Sequence, residues 1–162
     1  MVRRLFVLVF SALALCGCGS AQKGAADSAH RLLAAAQKND RVAFEAEIDR
    51  TAVRADVRRQ VAELAKATAL DVDGGPSEFA LDRMISPDAF RLVDAAGGPL
   101  RSAPTAGQVA KLMKQVDGRH ACLRDAAAPD ACLLTFAKAK NQWRLVGMKA
   151  TGLTIELADA GD

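Results

Sequence analysis

The chain is expected to be an α+β protein, with about four N-terminal helices packed on a small C-terminal antiparallel meander of three to four strands. Two observations predict it. Apolar residues recur at helical spacing as far as Gly118, and the pattern then becomes strand-like to the end of the chain. Helices come first and strands second, without alternation, which is the segregated order of an α+β layout.

The elements follow in order. Ser28 is placed to cap a helix containing Leu32, Leu33 and Ala36, and Asp40 to cap the next, with Phe44 and Ile48 four apart on one face. A longer helix runs from about Thr51, where Val53, Val57, Val61, Leu64 and Ala67 form an amphipathic stripe. Gly74-Gly75-Pro76 breaks it, and Ser77 opens a short turn through Phe79, Leu81 and Met84. Ser86-Pro87-Asp88 reads as a helix start carrying Phe90 and Val93 up to Gly97-Gly98. Val109, Leu112, Met113 and Val116 then predict a helix from Thr105 to Gly118. Strands are expected over His120–Asp125, Ala131–Lys138, Gln142 to about Lys149, and Leu153–Leu157. Ala127 to Asp130 and Lys140-Asn141 supply the turns, and residues 158–162 form a frayed tail.

The first residues carry a separate signal. Arg3 and Arg4 precede an uncharged apolar run from Leu5 to Leu15, too short to cross a hydrocarbon core of about twenty residues. It reads as a secretory signal. Leu15-Cys16-Gly17-Cys18 resembles the bacterial lipobox, with a small residue just before the cysteine that takes the lipid. Cys16 would be preceded by the bulky Leu15, so Cys18 is the lipidation site and residues 1–17 leave with the signal. Residues 18–27 are then a flexible tether and residues 28–157 one domain. The resemblance implies a lipoprotein anchored by acyl chains (palmitate among them) on the periplasmic side of a membrane. Gly19, where an acidic residue would favour inner-membrane retention, points to the outer membrane.

Composition narrows the function. The formal net charge is +3, and two of those charges, Arg3 and Arg4, go with the signal, so nucleic acid is not an expected partner. There is no Tyr and one Trp, a poor supply of rings for a carbohydrate platform. Trp143 is expected to anchor the core with Phe136, Leu134 and Leu145. With Cys16 and Cys18 accounted for, Cys122 and Cys132 remain, an even pair in an oxidising compartment. A hairpin centred near Ala127 sets them opposite each other on one face, so a disulfide is expected.

Arg50, Arg54 and Arg58, with Arg59 beside them, step along one helical face. They are the candidate interaction face, for an envelope protein or anionic lipid held near by the anchor. The plainer alternative is a solvated face balanced by Glu45, Glu47, Asp49 and Asp56. His30 and His120 lie far apart, and no nucleophile elbow, zinc-protease motif or phosphate loop occurs. No catalytic residue, metal ligand or cofactor is expected.

Asn39-Asp40, Phe44, Ile48-Asp49-Arg50-Thr51-Ala52-Val53-Arg54 and Gln60 resemble the opening of the bacterial domain of unknown function 2939. Arg50 stands where that family usually has an aromatic residue, and Val53 replaces a leucine. The Ser86-Pro87-Asp88 start and the Gln142-Trp143-Arg144-Leu145 strand also suit it. The resemblance implies an envelope-associated helix-plus-sheet domain with no assigned activity, in which Asp49 and Arg54 serve as an ion pair or helix cap. The late hairpin also resembles small lipoproteins with nuclear-transport-factor-like or cystatin-like cones. That likeness implies an alternative role, an apolar-ligand module with a hollow between helices and sheet. The leading expectation is a non-catalytic envelope module that binds or scaffolds another component.

Overall fold

The computed structural model describes residues 17–68 and 75–157 and has the expected α+β class. The signal segment up to residue 16 and the tail from residue 158 lie outside the described residues. Among the described residues, five α-helices, α1 Gly17–Gln37, α2 Arg41–Ala46, α3 Arg50–Ala67, α4 Glu78–Met84 and α5 Ala106–Leu112, accompany six strands. Strands β2 Met113–Gln115, β3 His120–Arg124, β4 Cys132–Ala139 and β5 Gln142–Met148 form one antiparallel sheet in that order. β1 Arg91–Val93 and β6 Thr154–Glu156 pair in parallel as a separate two-stranded sheet.

α1 packs against all four strands of the larger sheet. Its buried residues Ala25, Ala29, Leu32, Leu33 and Ala36 recur at three- and four-residue steps. The alanines let the helix sit close to Ala121, Leu123, Leu134, Phe136 and Leu145 on the facing strands, all fully buried. Each large side chain buried in this layer contributes about 1.5–3 kcal/mol. One polar group joins them: the buried Ser28 hydroxyl lies 2.8 Å from a Glu47 carboxylate oxygen and 2.9 Å from the Trp143 carbonyl, which share its single proton.

The corner between α2 and α3 gives the stretch from Asn39 to Gln60 its structural roles. Asn39 turns the chain with φ 51°, and Asp40 caps α2 by accepting from the Ala43 amide. Phe44 is buried edge-on to Phe90, with ring centroids 5.1 Å apart. Ile48 bridges Leu145, and Asp49 both donates its amide to the Leu145 carbonyl and caps α3 at Ala52. Further along α3, Asp56 accepts from the Met148 amide, while Gln60 donates to the Met148 carbonyl and accepts from the Ala150 amide. The open edge of β5 is thus closed by backbone at one end and by two side chains, four residues apart, at the other.

Four expectations need correction. Residues 18–27 are helical rather than a flexible tether. Their small residues serve packing: Ala25 and Ala26 are buried, and a Cβ added at Gly24 would lie 3.0 Å from the Trp143 ring. Gln22 donates to the Met113 carbonyl, so the fold begins ahead of residue 28. Second, Ser86-Pro87-Asp88 opens only a 3-10 turn, Pro87–Ala89, and the chain then extends into β1. Ser86 donates back to the Arg83 carbonyl instead of capping forward. Third, the helix from Thr105 stops at Leu112, and Met113–Gln115 becomes the edge strand β2, leaving Val116 63% exposed. The capping box at Thr105 and Gln108 was a sound start signal, but pairing with β3 overrides the periodicity beyond it. Fourth, the last strand leaves the meander to pair with β1.

Candidate functional site

The arginines of α3 lie beside α4. The guanidinium of Arg50 reaches Glu45 and, at 3.0 Å, Asp82, and donates to the Ile85 carbonyl at 3.2 Å. Arg54 grips Asp82 with Nε at 2.9 Å and Nη2 at 2.5 Å, and approaches Glu78 at 3.6 Å. Arg58 closes on Glu78, and Arg59 on Asp56. Glu78 and Asp82 sit four residues apart on α4, matching the four-residue steps of the arginines on α3. The result is a ladder of ion pairs between two helices.

The charges respond as such pairs should. Hydrogen bonding to Glu45 raises the Arg50 guanidinium above its ordinary value, against the cost of burial. The Arg54 hydrogen bond, with Arg50 behind it, holds the Asp82 carboxyl below the usual carboxylate range. The three arginines do lie together along α3, and all of them are engaged by acids. Of the acids expected to balance it, Glu45 and Asp56 do so. Glu47 instead holds Arg31 at 2.6 Å, and Asp49 serves as the α3 cap and makes no ion pair with Arg54 among the described residues. Glu78 and Asp82 were missed, although their spacing on one short helix was the readable signal.

Beside this ladder lies an open cleft of about 540 Å³, bounded by α2, the first turns of α3, α4 and the Pro87 turn. Arg41 and Arg83 line it without an ion-pair partner among the described residues, together with the acids Glu45, Asp82 and Asp88. Phe79 lines it too and is 72% exposed; Val42, next to Arg41, is 84% exposed. Unengaged guanidinium groups next to exposed apolar side chains suit a segment that offers a carboxylate beside a hydrophobic residue.

Cys122 and Cys132 are bridged, with Cα atoms 5.6 Å apart. The expected register needs a correction here. Cys122 faces Thr135 and Cys132 faces Arg124, because the pairing shifts between Leu123 and Arg124. The bulge leaves Leu133 unpaired with β3, and the bridge runs diagonally across it. Cys18 lies in the first turn of α1. His120 Nδ1 lies 2.8 Å from Asp117 Oδ2 on an exposed turn, and no hydroxyl or thiol is hydrogen bonded to it among the described residues. His30 lies on α1, half-buried. Among the described residues, no group of three or more His, Cys, Asp and Glu side chains is placed to hold a metal ion, and no helix is long and apolar enough to cross a membrane.

No protein-family model, curated protein or solved structure matches the chain.

Proposed function

We propose that the chain is a lipoprotein lipidated on Cys18, facing the periplasm from the outer membrane, and that its folded domain is a non-catalytic module for binding or scaffolding another envelope component. The carrying observation is Leu15-Cys16-Gly17-Cys18 at the end of a short apolar run. The Cys122–Cys132 bridge supports an oxidising compartment. The cleft at the Arg41 end supports a protein partner, because α1 places it far from Cys18. The helix spans about 30 Å, and Gln37 at its far end bonds the Leu100 carbonyl beyond the Pro87 turn.

The apolar-ligand reading is less well supported. The space between α1 and the sheet, where such a ligand would sit, is occupied by Leu32, Leu33, Leu123, Leu134 and Phe136, each fully buried. Cell fractionation tests the anchor: Cys18→Ser is expected to shift the protein from the membrane to the soluble periplasmic fraction, and full retention in the membrane overturns it. Cross-linking of the intact lipoprotein tests the cleft. A partner captured by the native chain is expected to be lost with Phe79→Ala and Arg83→Glu, and capture unchanged by both defeats the cleft as its site.

A further inference from the structure

We propose that the end of the sheet beside the start of α1 is a membrane-contact surface, which binds the anionic phospholipid headgroups of the leaflet that holds the anchor. The inference rests on lipidation at Cys18 and extends it from a point of attachment to an oriented face.

The placement follows from contacts along α1. Arg31 bonds Glu47, whose carbonyl accepts from the Leu145 amide; one turn earlier, Ser28 meets the Trp143 carbonyl; one turn earlier again, Gly24 lies over the Trp143 ring. Moving toward the N-terminus of α1 therefore means moving down β5 toward its first residue. Gly24 and Asp27 share a cleft with Asn141, at the turn between β4 and β5. Lys23 faces the other side, in a groove shared with Ala106 and Ala110 of α5. The turn between β2 and β3 reaches the same end, because the Lys138 amide donates to the Arg119 carbonyl at 2.8 Å. Cys18 precedes Gly24 by less than two helical turns, about 9 Å of rise.

Charge is distributed unevenly with respect to this axis. Lys23, Arg119, Lys138 and Lys140 are exposed at the anchor end, and none has an acid partner among the described residues. Of the acids at this end, Asp117 is already engaged by the Arg119 and His120 amides and the His120 ring, and the half-buried Asp27 lies toward Arg31. The exposed Val116, on the turn that carries Arg119, supplies an apolar contact. The arginines of α3, by contrast, are all engaged by acids of α2, α3 and α4. Helical continuity from Cys18 to Gly24 keeps this end of the sheet near the leaflet that holds the anchor, where each basic residue strengthens attraction to anionic lipid about fivefold.

The test uses the native protein on vesicles of phosphatidylcholine, with or without phosphatidylglycerol, and reads amide hydrogen exchange at residues 116–119 and 138–142. Exchange there is expected to slow about tenfold or more with phosphatidylglycerol, and the difference to vanish in about 1 M salt and with Lys138→Glu/Lys140→Glu. Unchanged protection of β3 and β4 checks the fold of that variant, and the native comparison decides without it. Equal exchange on the two vesicle types overturns the surface. The mass of the purified protein reports the lipid on Cys18 separately, so a chain without lipid defeats the anchor, whereas the exchange comparison decides the surface whichever way the mass falls.

Discussion

Replacing Gln60 by glutamate changes one atom and should dismantle the seal on β5. In the native protein the Gln60 amide nitrogen donates to the Met148 carbonyl and to Asp56 Oδ2, each at 2.8 Å, while its oxygen accepts from the Ala150 amide at 3.1 Å. A carboxylate keeps the last bond and loses both donations. One of them is to a charged group, and together they are worth about 2–4 kcal/mol; partial exposure of Gln60 brings the expected loss to about 2–3 kcal/mol at neutral pH. Set against a whole stability of about 5–15 kcal/mol, the effect is large. Two carboxylates now face each other, so the introduced group has a raised pKa in the folded state. Its penalty is absent below the unfolded value of about 4.3 and grows as pH rises through the folded one. Urea unfolding followed through Trp143, the single tryptophan, should show the midpoint of Gln60→Glu falling by about 1 M at pH 7 and returning toward the native midpoint near pH 4. A shift at pH 7 equal to that at pH 4, or none at all, refutes the latch.

Three further outcomes are expected. Phe44→Ala removes a fully buried ring that meets Phe90 edge-on, and should cost about 3–5 kcal/mol in chemical denaturation. Cys122→Ser/Cys132→Ser opens a loop with a sequence separation of 10 and should cost about 2–3 kcal/mol, seen as a lower melting temperature that reductant no longer changes. Asp82 has a depressed carboxyl pKa in the folded state, so its contribution is complete above about pH 4 and disappears as pH falls through the lowered value. The melting temperature of Asp82→Asn should therefore fall less steeply under acid than that of the native chain, and parallel curves would remove Asp82 from the acid response.

Where the fold was legible in the sequence, the signal was local. Val53 and Val57 repeat on one face of α3, Ser77 and Thr105 cap the helices they open, and the cysteines flank a turn. Each of those signals needs only near neighbours. The misread segments depend on distant ones. Leu92 is extended because Ile155 lies beside it in parallel register, and nothing between residues 86 and 97 announces that partner. Met113 fits a helical repeat as well as a strand, and only its pairing with Leu123 decides. The small residues before Ser28 have the composition of a linker, and the Trp143 ring that requires Gly24 comes more than a hundred residues later. For the candidate site, the positions of Arg50, Arg54 and Arg58 and the balancing roles of Glu45 and Asp56 were visible, but Asp82 and Glu78 were not, because they reach the arginines from another helix.

The early start of α1 also bears on the proposed maturation. The bond between Gly17 and Cys18, proposed for cleavage, lies within the first turn of a helix that Gln22 fastens to β2 one turn later. A peptidase needs that stretch unwound in its cleft. On the proposed cleavage, processing would come before α1 docks or wait for the first turn to fray, and a more firmly capped α1 would be matured more slowly.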